Sequence, residues 1–209
     1  MERANKTFVK TIKRGKAVQK VRREHYLRDD VYVGHEAAEE RYRGKDPAAW
    51  VLRPERRKTT GKEGKDGEDG EGTRTIAVID TNVALHQMDA LADSRVTDVV
   101  VCATVMEETR AKSRTSYERL RAMCRDKGKR FFVFSNEHHR ETYARDEPGE
   151  TPNDRNDRAI RLAAAFYRRV IPKSACERVV LVTNDRGNAR KAKEESVEVM
   201  SVSEWIASI

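Results

Sequence analysis

Carboxylates are the side chains best placed to do chemistry in this 209-residue chain. Two follow directly on short apolar runs: Asp80 in Ile79-Asp80-Thr81-Asn82-Val83 and Asp185 in Val182-Thr183-Asn184-Asp185-Arg186. A third position comes after the run at 99–102, in a segment that carries Glu107 and Glu108. Val105 and Glu108 are spaced i, i+3, so on a helix Glu108 points inward with the packing side. The fourth lies in Asn153-Asp154-Arg155-Asn156-Asp157-Arg158. There Asp157, Ile160 and Ala164 form one helical stripe with Ala163 beside it, and Asp154 suits an N-cap. A carboxylate on a buried face needs a partner, and four in one crevice repel one another unless cations intervene. Oxygen-only, acid-rich sites suit Mg²⁺ or Mn²⁺ rather than zinc. Two such ions about 4 Å apart clamp the attacking and leaving oxygens of an in-line phosphoryl displacement. The expected chemistry is hydrolysis of a phosphodiester.

The elements that must position these acids can be read from apolar patterning. Runs of strand length occupy 76–79, 99–102, 131–134, 179–182 and 197–200. They are mostly continuous rather than alternating, the mark of strands buried on both faces. Helical patterns lie between them at 83–91, 103–112, 117–125, 158–168 and 188–195. The alternation predicts parallel crossovers and an α/β fold with a doubly wound, mainly parallel sheet flanked by helices. In such open sheets ligands bind outside the carboxyl ends of the strands, where Asp80 and Asp185 fall.

Composition divides the chain further. Hydrophobic and charged residues each make up 37%, and the length suits one sizeable domain with room for a small second one. Residues 1–28 hold ten Lys or Arg against two Glu, which is the whole of the net charge of +8; the other 181 residues carry 33 basic and 33 acidic side chains. A basic arm on a neutral body suits a polyanionic partner, most simply nucleic acid. Its apolar and basic runs at 8–12 and 17–21, split by Arg14-Gly15-Lys16, predict a hairpin or short strand pair. Residues 53–74 contain five glycines, charges of both signs and no large apolar side chain, so they read as a flexible linker. The expected organisation is a basic N-terminal segment at 1–52, the linker at 53–74 and the α/β domain at 75–209.

Several classes are disfavoured. No run approaches the ~18 apolar residues of a membrane helix, and residues 1–16 lack the apolar core of a secretory signal. Cys102, Cys124 and Cys176 are odd in number, far apart and without a C-x-x-C pair, which favours a reducing compartment and a soluble, intracellular protein. Nucleophile-elbow and phosphate-loop motifs are missing. His138-His139 lacks the i, i+4 spacing of a helical zinc pair and is expected to face solvent. Arg155, Arg158, Arg161 and the arginines of 119–125 can contact phosphates, though most of them read as a solvated helix face.

Five motifs together resemble the N-terminal region of the catalytic ribonuclease subunits of the eukaryotic RNA exosome, members of the RNB (RNase II) family. They are Val21-Arg22-Arg23-Glu24-His25-Tyr26-Leu27-Arg28-Asp29-Asp30, Asp80-Thr81-Asn82-Val83, Asn136-Glu137-His138-His139-Arg140-Glu141-Thr142-Tyr143, Asn153-Asp154-Arg155-Asn156-Asp157-Arg158-Ala159-Ile160-Arg161 and Val182-Thr183-Asn184-Asp185-Arg186. They span nearly the whole chain outside the linker. The resemblance implies a PIN domain, a metal-dependent endoribonuclease acting on single-stranded RNA. By similarity, Asp80, Glu108, Asp157 and Asp185 bind two Mn²⁺ or Mg²⁺ ions, with Asn82, Thr183 and Asn184 behind them and Thr183 and Asn184 orienting Asp185. The products expected carry a 5′-phosphate and a 3′-hydroxyl. Lys10, Lys13, Arg14, Lys16, Lys20, Arg22, Arg23 and Arg158 are the expected RNA-binding residues. The implied setting is RNA processing, including that of rRNA, and decay in the nucleus, nucleolus included, and in the cytoplasm, with exosome core subunits as partners and no membrane.

The chain departs from the family in one segment. A cysteine cluster usually follows the His-Tyr-Leu-Arg-Asp-Asp stretch and helps hold the subunit on the exosome core, whereas here Val31-Tyr32-Val33-Gly34-His35-Glu36 contains none. That counts against stable docking. The competing expectation is a non-catalytic module that tethers a 3′→5′ exoribonuclease to the exosome core. Exonuclease activity in the family belongs to later domains, not to the residues matched here.

Overall fold

The computed structural model describes residues 2–11, 18–34, 75–173 and 175–209. The linker expected at 53–74 and the residues Lys13, Arg14 and Lys16 lie outside the described residues. Two strands, β1 (Glu2–Thr11) and β2 (Val18–Leu27), form the expected hairpin, antiparallel from Glu2 opposite Leu27 to Thr11 opposite Val18.

The α/β body is a five-stranded sheet built from β3 (Thr75–Ile79), β4 (Val99–Cys102), β5 (Phe131–Phe134), β6 (Arg178–Val182) and β7 (Val199–Met200). Its order is β5-β4-β3-β6-β7 and every neighbouring pair is parallel. The chain steps outward from β3 to β5, then crosses back to place β6 on the other side of β3. The order therefore reverses between β3 and β6, which puts a ligand crevice outside their carboxyl ends. β4, Val-Val-Val-Cys, is buried throughout, as a β-branched run covered on both faces should be. Of the strand expected at 197–200, only the last two residues pair.

The helices are α1 (Thr81–His86), α2 (Met88–Ala92), α3 (Ala103–Lys112), α4 (Arg114–Met123), α5 (Pro152–Val170), α6 (Arg186–Glu194) and α7 (Val202–Ala207). The single helix expected at 83–91 is broken at Gln87, whose φ of −122° leaves the helical region. α5 starts six residues before its expected start at 158, because Thr151 caps it by accepting from the Asp154 N–H and Pro152 supplies a first residue with no donor to lose. Asp154 is thus inside the first turn rather than the N-cap. None of the described helices is long and apolar enough to cross a membrane.

The core gathers Trp205, Tyr167, Phe131, Phe134, Ile160 and Leu181 around the sheet. Although composition separates 1–52 from 75–209, residues 27–34 are packed into this body. Val33 is fully buried in the core and its carbonyl accepts from the Tyr167 hydroxyl at 2.7 Å. Tyr32 sets its ring edge-on to Phe132, with centroids 5.4 Å apart. Gly34, at φ +78°, lies so close that a Cβ would meet the Phe132 ring at 2.6 Å; only glycine satisfies both demands. The Arg28 N–H donates to the His138 carbonyl at 2.9 Å, and the Arg140 N–H returns to Arg28 at 3.0 Å. Ala4 and Leu27 meet Tyr143 in a small second cluster.

Candidate active site

Asp80 ends β3 and caps α1. Its side chain accepts from the Val83 N–H at 2.9 Å and from the Thr183 hydroxyl, and it is 2% exposed. The Thr183 oxygen also accepts from the Asp185 N–H at 3.0 Å. One buried hydroxyl therefore joins the residue after β3 to the loop after β6. Asp185 caps α6 by accepting from the Asn188 N–H at 2.8 Å. These two acids stand at the ends of adjacent parallel strands, so the sheet itself fixes their separation.

The other two acids come from helices. Glu108 is half-buried on α3 while Glu107 is exposed, as i, i+3 spacing from Val105 requires. Its Oε2 accepts from the Thr81 hydroxyl at 2.5 Å, and Lys112 lies 3.5 Å from Oε1. Asp157 is half-buried in the second turn of α5. Its hydrogen bond, from Asn153 Nδ2, is long at 3.4 Å.

Charge shows that the four acids share one neighbourhood. Burial, then the carboxylates of Asp185, Asp80 and Glu108 in that order, push Asp157 up to about 6, with Arg161 opposing. Asp80 is also raised, chiefly by burial and further by Asp185, while the hydrogen bonds from Thr183 and Val83 pull the other way. Among the described residues, Asp80, Asp157 and Asp185 form no ion pair, and no three acidic or His or Cys side chains make a ready cage for one ion. The donor set nevertheless fits Mg²⁺ or Mn²⁺. Such ions keep several waters and bind through one or two carboxylates plus substrate phosphate. An oxygen-only set whose mutual repulsion already favours protonation is one that a divalent cation relieves.

The remaining expected residues fall variously. Asn82 is exposed, and its backbone N–H helps hold Asp80. Asn184 Oδ1 accepts from the Val202 N–H at 3.1 Å and so anchors α7 rather than an acid. Arg158 is engaged by Glu150 at 2.6 Å and Glu147 at 3.0 Å. Arg155 and Arg161, expected on a solvated face, are buried; Arg161 donates to Asn188 Oδ1 and Glu195. His139 is fully buried and His138 alone is exposed. Only the backbone places Lys10, Lys20, Arg22 and Arg23, on the hairpin strands. Thr81, the hydroxyl bound to Glu108, had no expected role. Its signal was a hydroxyl at the first helical position after a capping aspartate.

Comparison with known proteins fits this geometry. The family model described as "PIN domain" matches residues 77–203, from within β3 to within α7. The chain belongs to the PIN domain family. Across 98% of its length it is 38% identical to "Exosome complex exonuclease RRP44" of Homo sapiens, and across 94% it is 36% identical to "Exosome complex exonuclease RRP44 homolog A" of Arabidopsis thaliana. It spans 21% and 18% of those two proteins, about a fifth of their length. The solved structure of the T. brucei RRP44 PIN domain superposes with a TM-score of 0.57 at 28% identity, covering 65% of this chain and 79% of that one. The expected resemblance and the mainly parallel α/β architecture both hold for this PIN domain.

Proposed function

We propose that this chain is a divalent-metal-dependent endoribonuclease that hydrolyses phosphodiester bonds in single-stranded RNA, as the PIN module of an exosome ribonuclease subunit. The observation that carries the reading is the carboxyl of Asp157, raised to about 6 by burial and three acids from three other elements. A cluster of acids in which, among the described residues, only Glu108 has an ion-pair partner (Lys112), at the reversal point of an open sheet, is a site prepared for external positive charge. When bound, two Mn²⁺ or Mg²⁺ ions neutralise charge on the attacking and leaving oxygens of an in-line displacement. Asp80, Glu108, Asp157 and Asp185 would hold them. Thr183 and the Val83 N–H fix Asp80, the Asn188 N–H fixes Asp185, and Thr81 fixes Glu108. Asp157 is the least tethered of the four and is free to adjust to its load.

The relatives' names, exosome complex exonucleases, support work with the exosome; the setting proposed with it is RNA processing and decay in the nucleus and cytoplasm. The basic residues of the N-terminal segment add sequence-independent attraction to the RNA backbone. Circular single-stranded RNA incubated with Mn²⁺ tests the reading, because a circle offers an exonuclease no end. The wild type should linearise it and Asp80→Asn should be slower by about 100-fold or more. Intact circles with both proteins would instead favour the docking module.

A further inference from the structure

The proposed reaction makes no use of a buried polar network on the far side of α5. Glu137 and Arg155 are 2% and 5% exposed. Arg155 grips the carboxylate with both terminal nitrogens, Nη1 to Oε1 at 3.0 Å and Nη2 to Oε2 at 3.1 Å, while its Nε donates to Asp146 at 3.0 Å. Oε1 of Glu137 also accepts from the Thr104 hydroxyl at 3.0 Å. Asn136 holds Thr104 from the other side, donating to that hydroxyl at 2.9 Å and accepting from the Thr104 N–H at 3.3 Å.

The anchor points of this network matter for the acids. Thr104 is the second residue of α3, one turn before Glu108, and Arg155 is the fourth residue of α5, two before Asp157. Asp80 and Asp185 need no such device, since the β3–β6 ladder sets their spacing. Glu108 and Asp157 ride on separate helices that no ladder joins. A planar, bidentate Arg–carboxylate fork in a dry setting fixes distance and rotation together. Stability alone does not explain its presence, because well-packed apolar residues hold a core at least as firmly as a buried ion pair.

We propose that Glu137 and Arg155 are positioning residues of the active site, setting the separation of Glu108 from Asp157 through Thr104. The inference rests on the nuclease reading above. Its test measures two quantities on the full 209-residue chain, Mn²⁺ affinity by titration calorimetry and cleavage of circular RNA, both below every variant's melting temperature. Arg155→Lys keeps the charge and loses the fork; Glu137→Gln keeps the shape and loses the charge. Each should weaken Mn²⁺ binding and lower kcat by about 10-fold, with the KM for RNA little changed and the rate partly restored by excess Mn²⁺. Val170→Ala, at the far end of α5, should lower the melting temperature and leave both quantities alone. Thr104→Val, which cuts the link to α3 while leaving the ion pair intact, should act like the other two and serves if they fail to fold. Folded variants with wild-type Mn²⁺ affinity and kcat would overturn the proposal. A wild type that binds Mn²⁺ through Asp80 but cleaves nothing would remove the nuclease reading and leave positioning to be decided by the affinities. A wild type that does neither would overturn both.

Discussion

The two sides of the first turns of α5 handle charge in opposite ways. On one side Asp157 joins Asp80, Asp185 and Glu108, and among the described residues only Glu108 has a basic partner. On the other, Arg155 and Arg158 are matched to Glu137, Asp146, Glu147 and Glu150. Acids and bases alternate through the same short stretch of sequence, yet folding sorts them into an ion-paired lock and an anionic surplus. The lock completes itself, whereas the surplus depends on something the chain does not supply. An acidic cluster points to function when its charges are left unpaired while its neighbours are paired.

Breaking the lock has the largest expected effect. Arg155→Ala takes the bidentate ion pair from the buried Glu137 carboxylate and should cost about 3–5 kcal/mol by chemical denaturation. Arg158→Ala removes the fork to the largely buried Glu150 together with the pair to the exposed Glu147, and should cost about 1.5–3 kcal/mol on the same measurement.

Asp157→Asn should act in the opposite direction, raising the stability of the metal-free protein by about 1–3 kcal/mol at pH 7 while abolishing cleavage. The sign follows from linkage. The folded carboxyl titrates at about 6 against 3.8 for an unperturbed one, so between these values the native state holds a proton that the unfolded chain has lost. The penalty is full above 6, declines as pH falls and is gone below 3.8. Glu150 behaves oppositely: Arg158 holds it below its ordinary range, so its contribution is full above that range and is lost as pH falls from there through the lower, folded value. Mild acid should therefore relieve the site before it weakens the ion pairs. Burial keeps His139 neutral below its usual range and subtracts from the gain, so the relief is read as wild type minus Asp157→Asn in melting curves from pH 7 to 5.

The smallest effect concerns the arm. Replacing Lys13, Arg14 and Lys16 with Gln should reduce the salt slope of single-stranded RNA binding by up to about 2, at ~0.7 for each phosphate no longer neutralised. Fluorescence anisotropy over a salt series measures it, and an unchanged slope would remove these residues from the interface.

The sheet was legible because its signal is local. The runs at 99–102 and 131–134 became strands with the same bounds. The faces of α3 and α5 were legible too, since i, i+3 spacing alone turns Glu108 and Asp157 inward. The start of α5 was not, because its first turn has no apolar stripe and is defined by Thr151 and Pro152 instead. α7 went unseen because six residues hold too little periodicity, although Ser201 and Glu204 form a capping box that marked it. The lock was illegible for a deeper reason. Whether Arg155 is solvated or buried depends on Glu137, 18 residues away, and only the closed fold brings them together. His139 misled in the same way, its burial coming from packing against Phe134 and Phe166.

Whether the four acids form one anionic unit awaiting cations is read from the carboxyl titration of Asp157. Carbon-detected NMR of the metal-free protein should find it near pH 6. It should move down toward the ordinary range in Asp185→Asn and fall well below it on saturation with Mg²⁺. A titration near 4 in the wild type, indifferent to both changes, would mean that the four acids do not form such a unit.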